Sequence, residues 1–272
     1  MADPALPAWR FALASAIGTS HARTGAPCQD AAVCDVVADA SGAPVLIAIV
    51  SDGAGSAARS QEGSRIACDS LKDHVAGWLR SNELAELGTS TLTEWLDAHR
   101  AKLTELAKVE RSRIRDFAST IVAAFIAPKH AAYFQVGDGA IVVAARDQTA
   151  SFDCVFWPQK GEYENTTNFV TDPEVAEKFY FESQSGEILD VAVFTDGIQG
   201  IVLHYATQSA HAPFFQRMFG EISIAFRVGE LRDMSEQLAL FLASERVNAR
   251  TDDDKTLILA SRRTPPDGRP GA

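Results

Sequence analysis

Two uninterrupted apolar runs each stop dead at an Asp-Gly pair. One is "PVLIAIVSDGAGS", residues 44–56; the other is "DVAVFTDGIQG", residues 190–200. A carboxylate at the end of a buried strand is costly unless a counter-charge meets it. Asp52 and Asp196 therefore point to a shared cation. A third pair, Asp138-Gly139, sits in "YFQVGDGAIVV", and "TDDDKTLILA" sets Asp252, Asp253 and Asp254 directly before another apolar run. "CQDAA" places Asp30 just ahead of a further one.

Each of these positions has a plainer explanation. Asp-Gly suits the type I′ turn of a hairpin, and Asp138-Gly139, with strand-like sequence on both sides, fits that reading as well as it fits a ligand role. Asp52 and Asp196 fit it poorly, because a small-residue loop or a helical pattern follows each pair. An acidic run such as 252–254 is commonly a solvated cluster, and a turn carboxylate like Asp30 is ordinary. Taken together, they set acidic side chains at one end of several strands of a common sheet. Hard divalent cations take oxygen ligands, and Mg²⁺ usually takes one or two carboxylates plus waters. Two such ions sharing a carboxylate can generate hydroxide near neutral pH. A glycine after the shared Asp lets backbone approach the metal. This chemistry suits attack on a phosphate ester, whose charge the ions also neutralise. Rival signatures (GxSxG, HExxH, a Walker-type loop) are missing from the sequence. His21 and His130 could serve as bases, although an isolated histidine is more often structural or exposed.

The elements that must position these residues follow from periodicity. Strands are expected over Trp9–Gly18, Ala31–Asp39 and 45–50, with a polar loop, "TSHARTGAPCQD", between the first two. The run 45–50 lacks polar alternation, as a strand covered on both faces should. Helices are expected over Ser60–Arg80 and Leu92–Arg115. Short strands then return in "STIVAAFIA", "HAAYFQV", "AIVVAAR" and "FDCVFW". Residues Pro158–Glu187 read as a polar surface excursion, "LDVAVFT" as a buried strand, Pro213–Phe226 and Gly229–Arg246 as helices, and "KTLILA" as a last strand. Helices grouped between blocks of strands indicate an α+β fold, sheet packed on sheet with helices outside.

The chain has 272 residues, consistent with one domain. Its net charge of −11 argues against a nucleic-acid partner. No apolar stretch approaches the roughly 20 residues of a membrane span, and no basic start precedes a long apolar run. The four cysteines form no CxxC pair, which disfavours zinc or a disulfide framework. A reduced, cytoplasmic protein is expected.

In order along the chain, "GTSHARTGAPCQD", "IAIVSDGAGSAARSQEGSRIA", "STIVAAFIAPKHAAYFQVGDG", "VAVFTDGI" and "DDKTLILA" resemble the blocks of the metal-dependent serine/threonine protein phosphatases of the 2C type, the first block most like a bacterial subgroup. The resemblance covers about Phe11 to Ser261. It implies a four-layer α/β/β/α sandwich, two antiparallel sheets flanked by helices, with a binuclear Mg²⁺ or Mn²⁺ centre at one edge and a weak third ion. By position, Asp52 would bridge both metals and Gly53 would lend its carbonyl. Asp196 and Asp253 would complete the first metal site, Asp253 because it stands three residues before Thr256. Asp30 would lie in the second metal's shell, and Asp138 would help the third ion. The implied domain spans 9–262, leaving 263–272 as a disordered tail.

Three positions depart from the family pattern. Gln29 stands where members carry Glu, Ala54 where many carry a His, and Gly25 where a phosphate-binding Arg is usual; Arg23, Ser20 or His21 are candidates to take over the phosphate. The function implied is hydrolysis of phosphoserine and phosphothreonine in proteins by a metal-activated water, opposed by a serine/threonine kinase. The rival is a phosphatase-like binding module that recognises a phosphorylated partner without turnover.

Overall fold

The apolar run at 45–50 is fully buried because both of its faces are covered. Leu46, Ala48 and Val50 point into a core between two sheets, while Val45, Ile47 and Ile49 pack beneath helices. This alternation explains why the segment carries no polar residue. The structure, a computed structural model, describes residues 7–145, 151–158 and 167–264.

Five strands make the first sheet, in the order β2 (Ala31–Ala38), β3 (Pro44–Ser51), β4 (Ile121–Ile126), β5 (His130–Val136) and β8 (Tyr180–Ser185), all antiparallel. The second sheet runs β12 (Gly229–Glu230), β1 (Ala8–Ala16), β13 (Lys255–Arg263), β9 (Ile188–Phe194), β6 (Ala140–Ala145) and β7 (Asp153–Cys154). It is antiparallel except for the short β12–β1 pair. Trp9, Phe11, Val122, Ile141, Val193 and Ile258 help fill the space between the sheets.

Outside the first sheet lie α2 (Ser60–Leu79) and α3 (Thr89–Val109), which bury Leu71, Val75, Leu92 and Leu96 against it. Outside the second lie α5 (Ala212–Ser223) and α6 (Arg232–Leu242), which contribute Phe215, Phe219 and Leu238. The short helices α1 (Thr19–Thr24), α4 (Gln199–Val202) and α7 (Glu245–Asn248) and the β10–β11 pair (Leu203–His204, Ser209–Ala210) sit in connections. The four-layer α/β/β/α expectation holds. Among the described residues no helix is long and apolar enough to cross a membrane.

Several local expectations need correction. The polar loop after β1 contains α1. The helix expected at 92–115 starts at Thr89 and stops at Val109, because Arg111 turns left-handed (φ 52°) before a 3₁₀ turn at Ile114–Phe117. Gly229 also has positive φ (78°), and residues 229–230 pair with β1, so that helix begins only at Arg232 and breaks after Leu242. "FDCVFW" supplies a strand of two residues. Part of the supposed surface excursion, 159–166, lies outside the described residues, but Val170 and Val175 are buried and β8 extends the first sheet. The last strand runs through Arg263, whose Nη2 donates to Asp190 Oδ2 at 2.8 Å, so the tail cannot begin at 263; residues 265–272 lie outside the described ones, as does Arg146.

Candidate metal centre

Asp52 follows the last residue of β3 and is pinned on both sides by the entry to β4. Its N–H donates to Thr120 Oγ1 at 3.0 Å, and its carbonyl accepts the Thr120 N–H at 2.8 Å. Gly53 bridges to Ser119. A Cβ at Gly53 would come within 2.7 Å of the Ser60 carbonyl oxygen and 2.8 Å of that of Gln29, so only glycine lets the chain turn away here.

Asp196 leaves the end of β9 in the other sheet. Asp138 lies between β5 and β6, which belong to different sheets. The hairpin reading of Asp138-Gly139 is therefore wrong: the pair marks a crossing from one sheet to the other. That crossing brings Asp138 to the centre. One carboxylate oxygen each from Asp52, Asp138 and Asp196 lie within 4.8 Å of one another. The expectation of a common sheet is corrected too, since the acidic residues come from both sheets where their ends meet.

Asp30, at the entry to β2, is buried. Its Oδ2 accepts the Thr195 hydroxyl at 2.8 Å, and Thr195 Oγ1 in turn accepts the Thr256 N–H at 3.0 Å. Asp30 Oδ1 is buried with no partner among the described residues, as is Gln29 Oε1. Asp253 lies on the exposed rim just before β13, and its Oδ1 accepts the Asp254 N–H at 2.8 Å.

Burial and mutual repulsion raise these carboxyls. Desolvation pushes Asp196 up to about 8, helped by the charges of Asp138, Asp253 and Asp30. Asp52 rises furthest, through desolvation and then the charges of Asp30 and Asp196; the buried Asp30 rises through desolvation, opposed first by its bond from Thr195. Asp253 is raised as well, chiefly by desolvation. Without a cation the cluster holds protons that a divalent ion would displace. The donor set is all oxygen and two buried oxygens lack partners, so the residues fit hard metal ions.

The phosphate candidates lie on α1. Arg23 is exposed; its Nε donates to the Thr19 carbonyl at 3.0 Å, and its Nη2 lies 3.5 Å from Asp252 Oδ2. Ser20 Oγ donates to the Asp252 carbonyl at 2.6 Å. His21 Nδ1 is 2.9 Å from Asp254 Oδ2. Gly25 ends α1 with φ 74°, so an arginine at that position would be strained.

Asp254 is buried and overturns the solvated-cluster reading for its position. Sequence reasoning also missed Thr195, Thr120, Gln199 and Thr167. Gln199 Nε2 donates to the Asp138 carbonyl, and the Thr167 hydroxyl donates to Asp138 Oδ2 at 2.6 Å. Adjacency to Asp196 was a usable signal for Thr195, whereas nothing local marks Thr120 or Thr167.

Comparison with known proteins agrees with this architecture. The family profile described as protein phosphatase 2C matches residues 17–243. The chain is 35% identical to serine/threonine-protein phosphatase 3 of Escherichia coli (strain K12) over 252 residues, covering 93% of this chain and 98% of that protein. Its fold is similar to the catalytic domain of serine threonine protein phosphatase PstP in complex with two manganese ions, at TM-score 0.62 and 14% identity, covering 94% of this chain and 99% of that one. It is also similar to the S. agalactiae serine/threonine phosphatase, at TM-score 0.60 and 16% identity, covering 93% and 99%. With the family profile and the relative spanning nearly the whole chain, this protein belongs to the protein phosphatase 2C family.

Proposed function

We propose that the chain is a metal-dependent phosphatase that hydrolyses phosphoserine and phosphothreonine in proteins. The observation that carries this reading is the convergence of Asp52, Asp138 and Asp196 at one end of the sandwich, beside the buried Asp30. Asp52, Asp138 and Asp196, with Asp30, Asp253 and the Gly53 carbonyl, would hold two Mg²⁺ or Mn²⁺ ions and a weaker third. Bound there, the metal supplies an activated water and positive charge for the phosphate. Neighbouring side chains would fix the ligands: Thr120 holds the backbone of Asp52, Thr195 holds Asp30, and Gln199 and Thr167 hold Asp138.

The retention of Asp52, Asp196 and Asp253 favours turnover over a phosphate-recognising module. A serine/threonine kinase acting on the same sites would oppose the enzyme. The test is release of phosphate from a phosphoserine peptide with Mn²⁺ and with a chelator. Metal-dependent release is expected; equal release after exhaustive chelation would overturn the reading, and binding without release would favour the module.

A further inference from the structure

An Asp–His pair stands beside the carboxylates and is unused by the metal-binding reading. The Asp254 carboxylate, 1% exposed, accepts the Gly18 N–H at Oδ1 (2.6 Å) and the Gln29 N–H at Oδ2 (2.5 Å), and its Oδ2 also lies 2.9 Å from His21 Nδ1. Two backbone segments thus fix the carboxylate, and the carboxylate fixes the ring. An acceptor at Nδ1 holds a proton there and leaves Nε2 to work elsewhere. Nε2 of His21 has no protein partner among the described residues, and the side chain is 19% exposed. Asp254 directly follows the candidate ligand Asp253 in the chain, so its contact with His21 sets the ring at the rim of the centre.

Hydrolysis of a serine or threonine phosphate needs a proton for the departing alkoxide, a poor leaving group. The other groups nearby are engaged. Ala54 has no proton to give. Lys255 is buried, its Nζ bonded to the Ile17 and Asp253 carbonyls and to Asn248 Oδ1. The Tyr205 hydroxyl donates to Gln199 Oε1 at 2.7 Å.

We propose that His21 is the proton donor to the leaving oxygen and that Asp254 is its positioning residue; this rests on the phosphatase reading above. The oxygen of water forms the new bond to phosphorus as the ester P–O bond breaks. The electron pair of that bond goes to the seryl or threonyl oxygen, which takes the proton from His21 Nε2. The attacking water releases its proton to solvent, from which the imidazole is recharged, so one water is added across each ester.

The test compares the full chain with His21→Asn and His21→Ala, Mn²⁺-loaded, on a phosphoserine peptide and on p-nitrophenyl phosphate, whose aryl leaving group departs without a proton. Asn keeps a donor toward Asp254 and removes Nε2, so it separates proton donation from support of the fold. Peptide kcat should fall about 100-fold or more in both variants, and aryl ester turnover by less than about tenfold. Added imidazole should restore peptide turnover in His21→Ala. The calorimetric affinity of His21→Asn for Mn²⁺ alone should match wild type. Equal losses on the two esters, or a loss of Mn²⁺ affinity that accounts for the slower turnover, would overturn the donor role. A wild-type chain inactive on both esters would overturn the phosphatase reading itself, and this proposal with it.

Discussion

The Thr195 hydroxyl donates to Asp30 Oδ2 at 2.8 Å and so ties the second sheet to the entry of the first at the candidate metal centre. Because Thr195 also receives the Thr256 N–H, one side chain sets the spacing of β9, β13 and the Asp30 loop. Thr195→Val removes the hydroxyl at nearly constant shape. Metal-supporting contacts of this kind are worth roughly 10–100-fold in affinity, and the expected Mn²⁺ affinity loss lies in that range. Calorimetric titration checks it; an unchanged affinity would mean that Asp30 does not face the metals.

Asp138 belongs with Asp52 and Asp196, so its substitution should cost more than a role confined to a weak third ion would allow. Asp138→Asn should weaken Mn²⁺ binding by about tenfold or more, and Asp52→Asn by more still, since removing a carboxylate lowers the charge offered to a hard cation. Asp52→Asn should also stabilise the metal-free chain, because the buried Asp52 carboxyl must take up a proton on folding and Asn need not. A titration alongside thermal unfolding without metal tests both halves. Wild-type affinity in Asp138→Asn would place that carboxylate outside the centre.

The raised carboxyls predict a pH dependence of known sign. Desolvation and the neighbouring carboxylates push Asp196 up to about 8 in the folded chain, well above the ordinary carboxyl value of the unfolded chain. Between those values the folded state binds more protons, so metal-free stability should fall as pH rises from about 4 to about 8. Bound metal displaces those protons and removes the penalty, so the gain in Tm on adding Mn²⁺ should be larger near pH 8 than near pH 6. A Tm gain that is flat or falls with pH would contradict protonated carboxyls in the metal-free cluster.

Gln29 carries a buried side-chain oxygen with no partner among the described residues, next to Asp30. Gln29→Glu should shift the Mn²⁺ titration to lower concentration, since the added charge meets a cation. If position 29 faces protein instead, the same change buries an unpaired charge, and a lower Tm with an unchanged titration would reveal it.

Asp52 and Asp196 were legible in the sequence because an apolar run buried on both faces cannot end in a carboxylate without a reason, and that constraint is local. The alternation of Leu46 and Val50 against Ile47 and Ile49, inward and outward, likewise follows from a strand covered on both faces. Asp138 was not settled, because Asp-Gly between two strands reads alike whether the strands pair or part; only the assignment of β5 and β6 to different sheets turned a hairpin into a crossing. Asp254 looked like its solvated neighbours, and its burial depends on N–H groups of Gly18 and Gln29 that are more than 200 residues away in the chain. β8 carries the polar pattern of a surface segment because an edge strand can be polar on its open face, and only pairing with β5 makes it a strand. Local pattern determines which segments must be buried. Which carboxylates end up facing one another is decided by strand partners distant in sequence, and no short window of residues contains them.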